Sequence, residues 1–599
     1  MTENNRERNL EYGLYALAFG LALAIRLLRL GELPLGDEEA RWAMQALNLT
    51  RGLKPILGPQ PAYVMLTSLA IFILQASNFA TRLVPALFGA LLTLAPYGFR
   101  DRLGSKAALV LAFFLAFDPG FLAFSRLAGS PILVVVALLF AWSFWRSTNR
   151  NVPAAGISIG LTLLSGPALW PGLLGLGIAF GLSKGIVGAE QRGPRPARDG
   201  ETDASADQLP VPGAAVTRSK WLILSAYALG TYVLLGSAFL LPAGSGGLSA
   251  GLASIPAYFG GWLDFTAEVG PGIGGNVPVS RLLTGLVTYE LLALVLALLG
   301  LVRGILRRDE LVIKLGLWLG VSLILALAYP SRQMFDLAWV LVPLLALAAV
   351  EVSTYMVPIQ DGNLETIGMA VFTASMLIFA TLNYSAIALT TPDPAALQLR
   401  WWMFLGALGL LAISIGLVAF GWSYVSAIQG AQWGTLVVLA FISLSMAIAA
   451  AGLRTARTVE LWPTGAYTGQ AQTLISQMND LSRWKAGVNS SLDVTIAGVD
   501  SPALLWALRD WNLTVLDDAN LGVSGTTPSV VIASDQFVST DIESTYRGQD
   551  LSWRVYPLWN QGLMSDWFKW SIMHVFPQRD EKIILWVRSD VFIDSQNGQ

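Results

Sequence analysis

Three consecutive acids, Asp37, Glu38 and Glu39, follow the first apolar run of the chain, in the stretch LRLGELPLGDEEARWAMQALNLTRG from Leu28 to Gly52. A carboxylate can take the proton of an attacking hydroxyl. Asp118 and Arg126 lie in FLAFDPGFLAFSRLAGSP between two apolar runs, and Arg332 and Asp336 in YPSRQMFDLAWV at the start of another. Glu290 sits within TYELLALV, and an acid inside an apolar span is a functional hypothesis by default. Guanidinium forks hold phosphate and stabilise its growing charge. Carboxylates with nearby guanidinium groups suit the transfer of a group off a lipid phosphate. Such a leaving group needs no strong general acid, so a chain with the single histidine His574 can do this chemistry. A plainer account stands beside it. Acids stabilise a helix N-terminus by about 0.3–1 kcal/mol each, and an acid–base couple near a span end can be an ion pair or a snorkelling anchor.

The elements that must position these residues are membrane spans. The chain is 54% hydrophobic and 13% charged, whereas a soluble domain is about 25% charged. A formal charge of −2 gives no reason to invoke nucleic acid, and the absence of cysteine excludes disulfides and thiolate metal sites. One histidine excludes a multi-histidine metal site. A divalent ion at Asp37–Glu39 stays open, although no D-x-D motif adjoins them, and no cofactor is expected.

Apolar runs predict thirteen spans, near 11–30, 83–99, 107–122, 131–146, 153–166, 168–183, 221–242, 282–302, 311–329, 334–351, 366–388, 401–421 and 433–452. The run 61–75 is short, and a span there would put Arg100, Arg102 and Lys106 outside, against the positive-inside rule. It reads as a juxtamembrane or re-entrant segment. The N-terminus then faces the cytoplasm, and all the candidate residues fall at the outer boundary. Pro34 ends the first span. Asp37 is placed to cap a short amphipathic helix on the outer surface, with Trp42, Ala46 and Leu49 on one face and Gly52 beyond its end. The Pro-, Gly- and charge-rich segment 184–220 reads as a disordered cytoplasmic loop, and PAYFGGWLDFTAEV as an interfacial helix.

Composition shifts after Gly452. LDVTIAGV, LTVLDD, SVVIAS and KIILWV read as strands, and GQAQTLISQMNDLSRW and SPALLWALRDW as helices. Residues 453–599 thus form an α/β domain outside the membrane, beyond a transmembrane domain at 1–452 whose first outer loop, 31–82, carries juxtamembrane helices. Tryptophans at 553, 559, 567 and 570 could stack on sugars, but such residues more often form core or pack on the membrane surface.

An Arg-bearing first span followed by Pro34, Asp37, Glu38 and Ala40, in PLGDEEA, resembles the GT-C glycosyltransferases. The nearest branch is glycosyltransferase family 39, with protein O-mannosyltransferases and aminoarabinose transferases. The stretch TRLVPALFGALLTLAPYGFRDRLGSKAALVLAFFLAFDPGFLAFSRLA is similar to that family's next two spans and second outer loop. Arg332 to Ala348 resembles a late span. The likeness runs from Tyr12 to about Ala349. It implies an inverting transfer from a polyprenyl-phosphate sugar to a protein, lipid or glycan acceptor, with no metal. Asp37 would be the base, with Glu38 beside it. Asp118 and Arg126 would shape the acceptor and phosphate sites, and Arg332 would hold the lipid phosphate. Two positions depart from the pattern: Ser130 stands where relatives often have Asp, and Gln60 where they often have Lys or Pro. The tail, YRGQDLSWRVYPLWNQ with DWFKWSIM, looks like that of predicted membrane glycosyltransferases labelled flippase-associated. Two other readings compete. A lipid-sugar transporter would show repeats and mid-membrane charges, which the sequence lacks. An inactive GT-C scaffold would keep the fold and bind a partner.

Overall fold

The structure, a computed structural model, describes residues 3–53, 57–146, 151–190, 214–239, 246–263, 277–356, 363–389, 393–454, 458–463, 465–516, 528–535 and 545–592. Each of the thirteen apolar runs is mainly helical. Among the described residues seven helices are long and apolar enough to cross a membrane, or nine when two bent pairs count as spans. The bent pairs are Ser105–Phe117 with Pro119–Ser125, turned by 55° at Asp118, and Val279–Tyr289 with Leu291–Arg307, turned by 87° at Glu290. Four runs that were expected to span, now in the Ile132–Arg146, Val152–Leu163, Leu169–Glu190 and Ala214–Gly236 helices, fall outside that set. The chain is thus a multi-pass membrane protein, and the helices count fewer full-length spans than the runs suggested.

Helix α1 (Glu3–Leu27) leads to α2 (Asp37–Thr50), α3 (Pro61–Leu74) and α4 (Asn78–Leu91). Helix α3 has 14 residues, about 21 Å at 1.5 Å per residue, too short for a hydrocarbon core of about 30 Å. The bundle is organised around Met334–Tyr355. In that segment 83% of the most apolar stretch is buried, against 11% in Pro394–Gly421. An apolar helix that the protein leaves uncovered faces lipid tails; one that it covers forms the centre of the bundle. The middle of the expected disordered loop, 191–213, lies outside the described residues, and its flanks are helical, in Leu169–Glu190 and Ala214–Gly236. The expected interfacial helix is described as far as 263, with Ser254–Gly261 helical.

The C-terminal domain is a six-stranded mixed sheet with order β1-β5-β6-β4-β2-β3. Its strands are β1 (Tyr467–Thr468), β2 (Asp493–Ala497), β3 (Asn512–Leu516), β4 (Val530–Ser534), β5 (Tyr546–Pro557) and β6 (Gln578–Arg588). β3, β2 and β4 run parallel, and β6, β5 and β1 add antiparallel neighbours. β2, β3, β4 and β6 match the strands expected from β-branched runs. β5 was not expected: its first half, YRGQD, is polar and exposed on both faces, so it lacks the alternation that marks a half-buried strand. Trp553, Trp559 and Trp570 are buried, and Trp567 packs on them, so all four belong to the core.

Candidate functional site

The segment 118–131 ties the candidate residues together. Asp118 caps the Pro119–Ser125 helix, with Oδ1 accepting from the Phe121 amide at 2.7 Å. Glu290 reaches the same turn from the other bent span and accepts from the Gly120 amide at 3.2 Å. Both carboxyls are buried. Both line a mostly apolar cavity of about 310 Å³ with Phe113, Phe117, Leu345 and Leu444.

Two arginines hold the helix ends around this turn. Arg26 is fully buried, and its guanidinium donates to the carbonyls of Ala116 at 2.9 Å and Leu115 at 3.0 Å. Arg126 returns the arrangement: its Nη1 donates to the carbonyls of Ile25, Arg26 and Leu28 at 3.0, 2.8 and 2.8 Å. Each cation closes a helix C-terminus that no intrahelical amide satisfies. Burial pushes the Arg126 guanidinium down to about 10. The residue expected to shape a phosphate site therefore has its Nη1 committed to α1.

The acid triplet opens α2, but its three carboxylates turn to three different partners. The N-cap is Gly36, one residue earlier than expected, because the Asp37 side chain leaves its own helix for the sheet domain. Asp37 is buried and accepts from Ser501 Oγ at 2.6 Å, the Ala503 amide at 2.9 Å and Arg554 Nε at 2.6 Å. Glu39 pairs with Arg82 through both oxygens, at 2.8 and 2.5 Å, and also accepts from the Ala128 amide at 2.9 Å. Glu38 keeps 34% of its side chain exposed, with Arg41 at 3.9 Å. Helix α2 is not a surface helix as expected. Its Ala40, Ala43, Ala46 and Leu47 are buried against α3 and the sheet domain's Pro502–Ala507 helix. Gly52, at φ +73°, ends it where the sequence placed it. Trp42 packs against Gly129, whose φ of +72° suits glycine; a Cβ there would lie 2.3 Å from the indole.

Arg332 lies in the turn before the central helix. Its Nη1 reaches the Val277 carbonyl at 3.5 Å, and its buried Nε has no partner. Asp336 caps the turn by accepting from the Gln333 amide at 2.7 Å. The segment 118–131 touches this turn through Phe124, whose ring lies 5.3 Å from Phe335 and 5.2 Å from Trp462. Ser130 is buried, and its Oγ has no partner. The structure thus brings Asp118 and Glu290 to one turn and one cavity. It links Asp37, Glu38, Arg126 and Arg332 through 118–131 and the sheet domain without bringing their side chains into contact.

Several residues of the site escaped the sequence reading. Arg82, a cation within an apolar helix, carried a signal that could have found it. Arg554 and Ser501 carried none. A further buried cluster joins the domains: Tyr289 donates to Glu460, His574 Nδ1 lies 2.9 Å from the same carboxylate, and Trp570 Nε1 donates to the Val459 carbonyl at 2.7 Å. It clamps the segment that leads into the sheet domain.

A bundle of bent spans, a short helix headed by acids and a sheet domain packed on that helix define a multi-pass membrane protein with a C-terminal sheet domain. No family model matches the chain, and no curated protein does. Among solved structures it is similar to ArnT from Cupriavidus metallidurans bound to undecaprenyl phosphate, at 14% identity and a TM-score of 0.53, over 97% of this chain and 99% of that one. It is similar also to the apo state of that protein, at 13% identity and the same TM-score, 0.53. At such identity the likeness establishes the fold, and it runs through the sheet domain, well beyond the stretch of resemblance seen in the sequence.

Proposed function

We propose that the protein is a membrane glycosyltransferase that moves a sugar from a polyprenyl-phosphate donor to an extracytoplasmic hydroxyl, with inversion. The observation that carries this reading is the partly exposed Glu38 carboxylate, which shares one end of the bundle with the incompletely paired Arg332, in a fold shared with a protein bound to undecaprenyl phosphate. The acceptor oxygen attacks the anomeric carbon from the face opposite the phosphate. The carboxylate takes the hydroxyl proton, and the lipid phosphate leaves with the bonding pair of the broken C–O bond. Arg332 neutralises the charge that grows on that phosphate. Glu38 is the carboxylate of the triplet with side-chain access. Asp37 can serve as base only when Arg554 releases it, since three donors now occupy it. The Asp37 engagement also favours a second reading, a scaffold whose sheet domain seals an inactive site.

The test is sugar transfer or release from radiolabelled polyprenyl-phosphate sugars by the purified protein, with Glu38→Gln and Asp37→Asn compared. A positioned base contributes roughly 10²–10⁴-fold. A loss of that size in Glu38→Gln, with the fold intact, supports the assignment. Unchanged turnover in both variants removes the triplet from the chemistry. No turnover with any donor favours the scaffold.

A further inference from the structure

The sheet domain carries a cleft of about 530 Å³ that shares no residue with the site above, within the roughly 300–1,000 Å³ typical of small-molecule sites. Its floor is Leu585 and Val587 of β6. Register places Gln549 of β5 opposite Leu585 and Arg547 opposite Val587, so both polar side chains stand on the face of the sheet that forms the floor. The opposite wall is the Ala471–Ala486 helix, which presents Gln477, Asp480 and Trp484.

Three features of this lining point to one chemistry. Trp484 is 63% exposed, whereas the tryptophans of the C-terminal tail pack into the core. Gln477 Oε1 is buried and has no hydrogen-bond partner, a penalty that a ligand donor would remove. The charges of Asp480 and Arg547 cancel, so the cleft gives no preference to an anionic polymer. A pyranose matches all three: its C–H face covers an indole, and its hydroxyls donate to amide and carboxylate oxygens and accept from guanidinium N–H.

We propose that this cleft binds a neutral oligosaccharide, with Trp484 as the stacking platform and Gln477, Asp480 and Gln549 as hydroxyl partners. Binding does not depend on the transfer reading. Its purpose does: if the protein transfers a sugar, the acceptor is a glycan chain gripped by the sheet domain.

The test is fluorescence anisotropy of labelled mannohexaose, cellohexaose and chitohexaose with the full-length protein in detergent micelles. The expected result is saturable binding of at least one probe. Trp484→Ala weakens it about tenfold and Gln477→Leu weakens it severalfold, both with unaltered thermal unfolding. No saturable binding of any probe to the wild type overturns the proposal. So does binding that both variants retain in full, and so does a cleft that takes an unrelated labelled peptide in place of every oligosaccharide. The measurement needs no donor lipid, so oligosaccharide binding stands or falls separately from sugar transfer.

Discussion

Glu39 is the acid of the triplet whose loss has the most direct structural consequence. Its carboxylate is paired with Arg82 through two hydrogen bonds, and the two side chains are only 12% and 6% exposed. Replacing Glu39 by Leu leaves the Arg82 guanidinium buried with only the carbonyls of Leu30, Leu33 and Pro34. It also strips the Ala128 amide of its acceptor. Breaking a buried pair from one side costs about 3–5 kcal/mol, and an orphaned buried amide about 1–3 kcal/mol. The expected loss for Glu39→Leu is therefore at least about 3 kcal/mol. Arg82→Leu should cost a similar amount. The double variant, which leaves no unpaired charge, should be more stable than the sum of the two losses predicts. The assay is reversible unfolding in mixed micelles, run as a double-mutant cycle. A Glu39→Leu cost below about 1 kcal/mol, the range of exposed pairs, would refute the reasoning. Strict additivity of the two single losses would refute it as well.

Arg554→Met should free Asp37 from its ion pair and loosen the sheet domain at α2, seen as faster amide hydrogen exchange in 501–507 and at the head of α2. Gly129→Ala should destabilise by about 2 kcal/mol, from roughly 1–2 kcal/mol of left-handed backbone strain and a clash with Trp42; Trp42→Ala added to it should recover the part due to the clash, measured by unfolding. Arg332→Ala should weaken binding of undecaprenyl phosphate about tenfold or more, as a lost charge-assisted hydrogen bond warrants. Arg332→Lys should keep part of that affinity, since it preserves the charge without the fork. Equal affinity in wild type and Arg332→Ala would place the phosphate elsewhere.

By itself the sequence determined the membrane class, the place of the long apolar helices among the described residues, the short α3 and most of the sheet. These follow from local properties: run length against the bilayer, β-branched runs and turn residues. It also singled out Asp37, Asp118, Arg126, Glu290 and Arg332, because an ionisable residue at the edge of an apolar run is costly and therefore conspicuous, and it passed over Arg82 and Arg554. What each of them does was decided only by the tertiary structure. Asp37, Glu38 and Glu39 are adjacent in sequence and chemically almost alike, yet one is locked under the sheet domain, one is partly exposed and one is sealed against α4. Their partners Arg554 and Arg82 lie far along the chain, at no spacing that periodicity encodes. Asp118 and Glu290 likewise meet only because two spans bend at those residues. Pattern reports which residues must be buried or paired; the pairing itself is a property of packing between distant segments, and it sets which acid is left to act.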